Sequence, residues 1–466
     1  MEHNVEQKLH QLDNLFNEQE NMQSDDLRDH IVSRIYTSSQ DLTNKSVAYS
    51  NKKVSWLDEN LDKILTSKAF GFPIMLLMLG VVIYLTIAGA NYPGVVIAEA
   101  FATVEDWLTA LFQWLQAPDW LYGILIEGFY RGTSWVVSVM LPPMAIFFPM
   151  FALLENFGYL PRVAFNLDRF FKKSGAHGKQ SLTMAMGFGC NAAAVMSSRI
   201  VESPRERMLA ILTNNFVPCN GRWPLLILLA GLFMAAGFSG GMNTFISAAV
   251  VVGIVLFGVI MTLFVSWALS KTLLRGVPSH YTLELPPYRK PKIWNTIVRA
   301  TLDKSWFVLK RAVIVAAPAS VITWILANIF IADLSILEHV AGFFDPFAQA
   351  IGLDGFILMA FILGFPANEI VLPILLMGYL STGSMIEVDN LNDLKQIFLD
   401  HGWTWLTALN MMLFSLLHYP CGTTMLNIWK ETKSPKWTFA AFALPTAIAI
   451  TVTFTIAQIV RGLGLV

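Results

Sequence analysis

Glycine is missing from the start of this chain: the first is Gly71. A phosphate-cradling loop needs glycine for its tight turns and close backbone approach, and no G-x-x-x-x-G-K-[ST] pattern occurs further along. The sequence therefore predicts no nucleotide site in this chain. Cysteine is scarce too, with only Cys190, Cys219 and Cys421, each within or at the end of an apolar run. An odd, sparse set excludes a disulfide framework and points to reduced thiols. Charge is low, 14% of residues with a net of −1, which removes the electrostatic footprint of a nucleic-acid binder. Ser-His-Asp and H-E-x-x-H spacings are absent, so the chain reads as a non-enzyme. No early apolar core marks a cleavable leader.

Apolar residues are what the chain has in quantity: 55%, with a mean hydropathy of +0.53. Those values belong to an all-α polytopic membrane protein. Residues 1–68 are polar and acidic. Val5, Leu9, Leu12 and Phe16 share one face there, which predicts a short amphipathic helix. Four regions follow from the composition: the polar segment 1–68, a first membrane half over 69–275, a basic loop over 276–310 and a second membrane half over 311–466. About seven spans are expected, near Phe70–Gly89, Trp120–Leu154, from Met208, Phe245–Leu269, Ala312–Ile331, Trp403–Trp429 and Trp437–Val460. Residues 91–118, apolar but broken by Glu99, Glu105 and Asp106, read as an interfacial helix.

Two apolar segments have matching flanks at both ends. Lys172, Lys173 and Lys179 precede the segment around 181–199, and Arg199, Arg205 and Arg207 follow it. Asp345 and Asp354 precede the segment around 355–380, and Glu387, Asp389 and Asp393 follow it. Basic residues mark cytoplasmic loops, so each segment is expected to enter and leave on one side as a re-entrant hairpin, the two from opposite faces. The N-terminus then lies in the cytoplasm of a multi-pass protein. Each hairpin follows a Pro-containing span and precedes a span with Pro-Cys (Pro218-Cys219, Pro420-Cys421). An inverted-topology repeat is expected, with the substrate site where its broken helices meet.

The breaks carry the chemistry. Gly187-Phe188-Gly189-Cys190-Asn191 is a poor sequence for a continuous membrane helix. Gly364-Phe365-Pro366-Ala367-Asn368-Glu369 sets a carboxylate in an apolar run, with no Lys or Arg across residues 355–386. Such a carboxylate defaults to a functional expectation. Cys190, Cys219, Cys421 and Glu369 are the candidate metal ligands, supported by Gly187, Gly189, Asn191, Asn220, Asn368 and His418. Thiolates with a carboxylate suit a divalent transition metal better than Na⁺, K⁺ or Mg²⁺.

At these residues the chain resembles the membrane domain of the FeoB family of bacterial ferrous-iron transporters. The matching stretches are Leu154 to Arg162 with Asp168-Arg169, Gly187 to Cys190 through Arg199 and Glu202, Cys219 to Pro224, Glu284 to Arg289, Gly364 to Glu369, and Pro420-Cys421. The resemblance implies Fe(II) uptake across the inner membrane through two gate-like repeats, with the family's cysteines on Cys190, Cys219 and Cys421 and its glutamate on Glu369. It also implies a separate GTPase subunit or a FeoA-like partner, and homo-oligomers. The chain departs from the pattern at Asn368, where the family usually has lysine, at Ala193, where it has proline, and in showing no G domain. An organic-solute transporter with opposed hairpins and a non-transporting scaffold or sensor are the alternative readings.

Overall fold

The computed structural model describes residues 24–46, 60–67, 69–176, 178–235, 241–276, 288, 292–331, 333–385, 388 and 390–464. The helix expected near Val5–Phe16 lies outside these residues, as do Glu284–Pro287, Arg289, Glu387 and Asp389. The N-terminal unit contributes the helix α1 (Ser24–Ser46). The second unit, Leu65–Pro278 with Leu285–Val466, is a helical membrane body. Six of its described helices are long and apolar enough to cross a membrane, or up to seven if one bent pair counts as a span.

The first helix, α2 (Gly71–Trp114), runs for 44 residues without interruption. At ~1.5 Å per residue it is about 66 Å long and outruns a hydrocarbon core of ~30 Å. The separate interfacial helix read from 91–118 is therefore the outer part of α2. Pro93 lies within it, and the part beyond is tied to α3 (Asp119–Phe157). Arg131 donates from Nε (2.8 Å) and Nη2 (2.5 Å) to Glu105 Oε1, and Tyr130 OH donates to Phe101 O at 2.9 Å. Helix α3 ends at Gly158, whose φ of 91° is a left-handed stop that favours glycine. The amphipathic α4 (Tyr159–Lys173) follows, anchored by buried Arg162, which donates to Gly158 O at 2.8 Å and lies 4.2 Å from the centre of the Tyr288 ring.

The first hairpin is α5 (Gln180–Gly187) and α6 (Asn191–Ser197). With 8 and 7 residues, each arm spans only ~12 Å and cannot cross a bilayer alone. A broken span follows, α7 (Pro204–Thr213) and α8 (Trp223–Leu229), then the long α9 (Gly241–Lys271). Helix α10 (Ile293–Asn328) starts inside the segment read as the basic loop. A two-residue antiparallel ladder, Phe330–Ile331 with Leu334–Ser335, turns the chain into α11 (Ile336–Ala350). Ser335 and Glu338 form a capping box there.

Helices α12 (Gly355–Leu363) and α13 (Val371–Leu380) form the second hairpin, α12 bent by 113° from α11. Asp354 caps α12, its carboxylate accepting from Ile357 N at 2.8 Å. Then come α14 (Leu391–Asp400), the broken span α15 (Trp405–Leu417) and α16 (Gly422–Thr432), and α17 (Pro435–Gly462). The parts thus recur: proline-bearing helix, amphipathic helix, hairpin, broken span, long helix.

Candidate functional site: the junction of the broken helices

All four helix breaks use the same backbone device. Residues Cys190 and Ala367, at the hairpin breaks, are extended at φ/ψ of −151°/118° and −152°/127° before the helix resumes. Cys219 and Cys421 are extended at −81°/172° and −60°/159°. The hairpin and span of each repeat are then joined through main chain: Asn220 N donates to Gly189 O at 3.0 Å, and Gly422 N to Phe365 O at 2.7 Å. Trp223 Nε1 adds a bond to Phe188 O at 3.3 Å. Glycine at 189 is a packing requirement, since a Cβ there would stand 2.0 Å from the Phe147 ring of α3.

The candidate residues gather around these joints. Cys190 and Cys219 are buried, Cys421 is half-buried, and all three are free thiols. Asn368 Nδ2 lies 3.7 Å from Cys219 Sγ, linking the second hairpin to the first broken span. Glu369 packs on Gly221 so closely that a Cβ there would stand 2.2 Å from its Oε1. Cys421 Sγ sits 3.2 Å from Thr424 Oγ1. Asn191 Oδ1 accepts from Asn214 Nδ2 at 3.2 Å, leaving Asn214 Oδ1 buried without a partner among the described residues, aimed at Gly187. His418 faces elsewhere: its Nδ1 is 3.0 Å from Phe414 O and 2.9 Å from Ser415 O, and its ring stacks on Phe414. Among the described residues no three of His, Cys, Asp or Glu are close enough together to hold an ion.

Arg222, Asn214, Asn215, Thr424 and Asn427 belong to this junction but not to the ligand set read from sequence. Arg222 is fully buried. Its Nη1 donates to Asn215 O (2.8 Å) and Leu416 O (2.9 Å), and its Nη2 to Asn215 Oδ1 (3.1 Å), Tyr419 O (3.4 Å) and His418 O (3.5 Å). It thus caps the carbonyls orphaned where α15 breaks before Pro420. It is also within electrostatic reach of Cys219, Cys421 and Glu369, and Cys190 is within reach of the other two thiols. The same rule that singles out Glu369, an ionisable group at membrane depth, would have found Arg222. The pair Asn214-Asn215 in an apolar segment was a comparable signal.

One side of the junction opens into a cavity of about 840 Å³, whose lining includes Asn91, Trp135, Ser138, Asn220, Trp223 and Lys395. It reaches Asn220 but neither the cysteines nor Glu369. On another side α6 meets α16: Asn427 Nδ2 donates to Ala192 O at 3.0 Å, and its Oδ1 accepts from Arg311 Nη1. Arg199 holds Glu431 through two bonds of 2.9 and 2.6 Å.

The Gate family, described as nucleoside recognition, matches residues 137–233 and 309–435, one stretch for each hairpin and broken span. The family described as ferrous iron transport protein B C terminus matches residues 251–303. The Fe(2+) transporter FeoB of Staphylococcus aureus (strain COL) is 30% identical over 424 residues, covering 89% of this chain and 60% of the relative. A Fe(2+) transport protein A/Fe(2+) transporter FeoB fusion protein of Porphyromonas gingivalis is 26% identical, covering 88% of this chain and 52% of the relative. The chain therefore spans a little over half the length of these curated relatives. A solved structure described as CNTnw in an inward-facing substrate-bound state covers 86% of this chain and 97% of its own at 14% identity; its TM-score of 0.40 is too low to bear on the site. With two Gate stretches, the FeoB C-terminal stretch between them and relatives matched along nearly nine-tenths of its length, the chain is a FeoB-type membrane domain.

Proposed function

We propose that the chain carries Fe(II) across the cell membrane, through the junction of its four helix breaks, as a transporter and not an enzyme. The observation that carries this reading is the meeting of Cys219 with Asn368, and of Gly221 with Glu369, across the two repeats. A soft-leaning thiol and a hard carboxylate from different halves suit a borderline divalent cation in transit. Cys190 and Cys421 extend the set along the first hairpin and the second broken span. The absence of a ready-made cluster among the described residues fits cargo that is ligated by a few groups at a time. Asn214 Oδ1, buried and unpartnered among the described residues, is an acceptor of the kind a passing cation uses.

Basic flanks favour the cytoplasm for the ends carrying Lys172, Arg205 and Lys433, and hence for the N-terminus. On that reading the 840 Å³ cavity faces outward and the contacts of Arg199, Arg311 and Asn427 close the cytoplasmic side. The name of the Porphyromonas relative joins a transport protein A to the transporter, which favours a FeoA-like partner here. A separate GTPase and a homo-oligomer are further proposed partners. Organic-solute transport is the second reading, favoured by the Gate family's description. The test is purified chain in sealed liposomes under anaerobic conditions, given Fe²⁺ or radiolabelled uridine. Entry of Fe²⁺ without uridine agrees with the proposal, uridine entry replaces it, and entry of neither returns the chain to a scaffold or sensor.

A further inference from the structure

Arg222 is charged at any pH the protein meets, since a guanidinium does not give up its proton in proteins. Every acceptor it touches is neutral: four backbone carbonyls and the Asn215 amide oxygen. Its Nε–H is buried and has no partner among the described residues. No carboxylate lies within ion-pair distance of it there. Helix capping alone does not need a full charge at this depth, because an amide or a hydroxyl serves carbonyls at far lower desolvation cost. The second repeat makes the point directly. Three residues past Cys421, where the first repeat has Arg222, stands the neutral Thr424. The repeats match in backbone at the breaks and differ in charge, and the difference lies beside Gly221, on which the Glu369 carboxylate rests.

We propose that Arg222 is a built-in counter-charge of the transit site: it balances Glu369 when the site is empty and repels the metal once it is bound, so that Fe(II) is released and not trapped. This deepens the transport reading and rests on it for the cargo. Even one thiolate or carboxylate met at a time attracts a divalent cation strongly in a low-dielectric interior. A fixed positive charge there weakens that attraction over several ångströms without touching the metal. Arg222 acts through its field and through the position it gives to the α15 carbonyls, so a purely structural role has to be separated from it.

Two variants do so. Arg222→Gln removes the charge. Asn215→Asp leaves Arg222 in place and sets a carboxylate on its Nη2, losing only the bond that Asn215 Nδ2 donates to His418 O, and keeps the protein testable if Arg222→Gln does not fold. Initial Fe²⁺ influx into liposomes is measured against Fe²⁺ concentration, with equilibrium Fe²⁺ binding to the purified full chain under anaerobic conditions as an independent arm. The expected result is that both folded variants bind Fe²⁺ about tenfold more tightly, with KM and maximal rate falling together by a similar factor, and that Arg222→Lys, which keeps the charge, retains the wild-type KM. Unchanged binding and KM in Asn215→Asp, with rates following only the amount of folded protein, would overturn the proposal. If wild-type liposomes admit no Fe²⁺, it is the transport reading that fails. The binding arm still decides on Arg222, since tighter binding in the neutralised variants supports it and unchanged binding removes it.

Discussion

A methyl group on Gly221 would collide with Glu369, which makes the smallest substitution at the junction an informative one. Gly221→Ala is expected to displace the carboxylate, to cost about 1–3 kcal/mol as an overpacked site, and to lower Fe²⁺ uptake by more than its loss of abundance. Uptake per folded molecule, with abundance read by blot, checks this; a wild-type value would mean that Glu369 does not serve from that position. At this scale the sequence was legible where a residue is anomalous by itself. Glu369 and the three cysteines stand out in apolar runs without any partner being known. Arg222 is as anomalous inside Pro204–Met234 as Glu369 is in its own run, but an arginine ligates no metal and so falls outside a ligand set. What fixes its role is a set of carbonyls at Leu416–Tyr419, and Leu416 is 194 residues away in sequence. His418 lies beside the same break, with its Nδ1 against Phe414 O and Ser415 O at the end of its own helix.

Among the elements, the expectation of two hairpins rests on pairs of like-charged flanks around apolar segments too interrupted to be plain spans. Their arms prove short, and the break residues Cys190 and Ala367 share one backbone conformation. The orientation can be tested with single cysteines at the exposed positions Lys173 and Glu202, one on each flank of the first hairpin, in a Cys-free background. Both should react with a membrane-impermeant reagent from the cytoplasmic side only; labelling from opposite sides would turn this hairpin into a span and remove the inversion. Helix α2 shows why local signals failed elsewhere. Glu99, Glu105 and Asp106 interrupt the apolar pattern over 91–118 and read as an interface. Tertiary ties from Arg131 and Tyr130 hold the helix to α3 through that stretch. An Arg131→Ala variant is expected to loosen its outer half, seen as faster amide exchange over residues 99–114. Unchanged exchange would assign the continuity to α2 itself.

For the whole molecule, the two Gate stretches and the repeated order of parts put one set of candidate residues on each half. The absence of a phosphate-binding loop in the sequence leads to the expectation that the chain shows no saturable binding of a fluorescent GTP analogue. A micromolar dissociation constant would require a nucleotide site of another kind. The central claim, that thiol and carboxylate from opposite repeats form one metal path, is tested most directly by radioactive iron uptake. The cells lack other ferrous importers and carry wild type, Cys190→Ser, Glu369→Gln or both, with membrane abundance checked by blot. Ser keeps the shape of Cys but ligates poorly, and Gln keeps the volume of Glu without its charge. Each single variant should lose about tenfold or more of its uptake at normal abundance. The double variant should fall well short of the summed losses, because both serve one path. Wild-type uptake in the double variant would contradict the account.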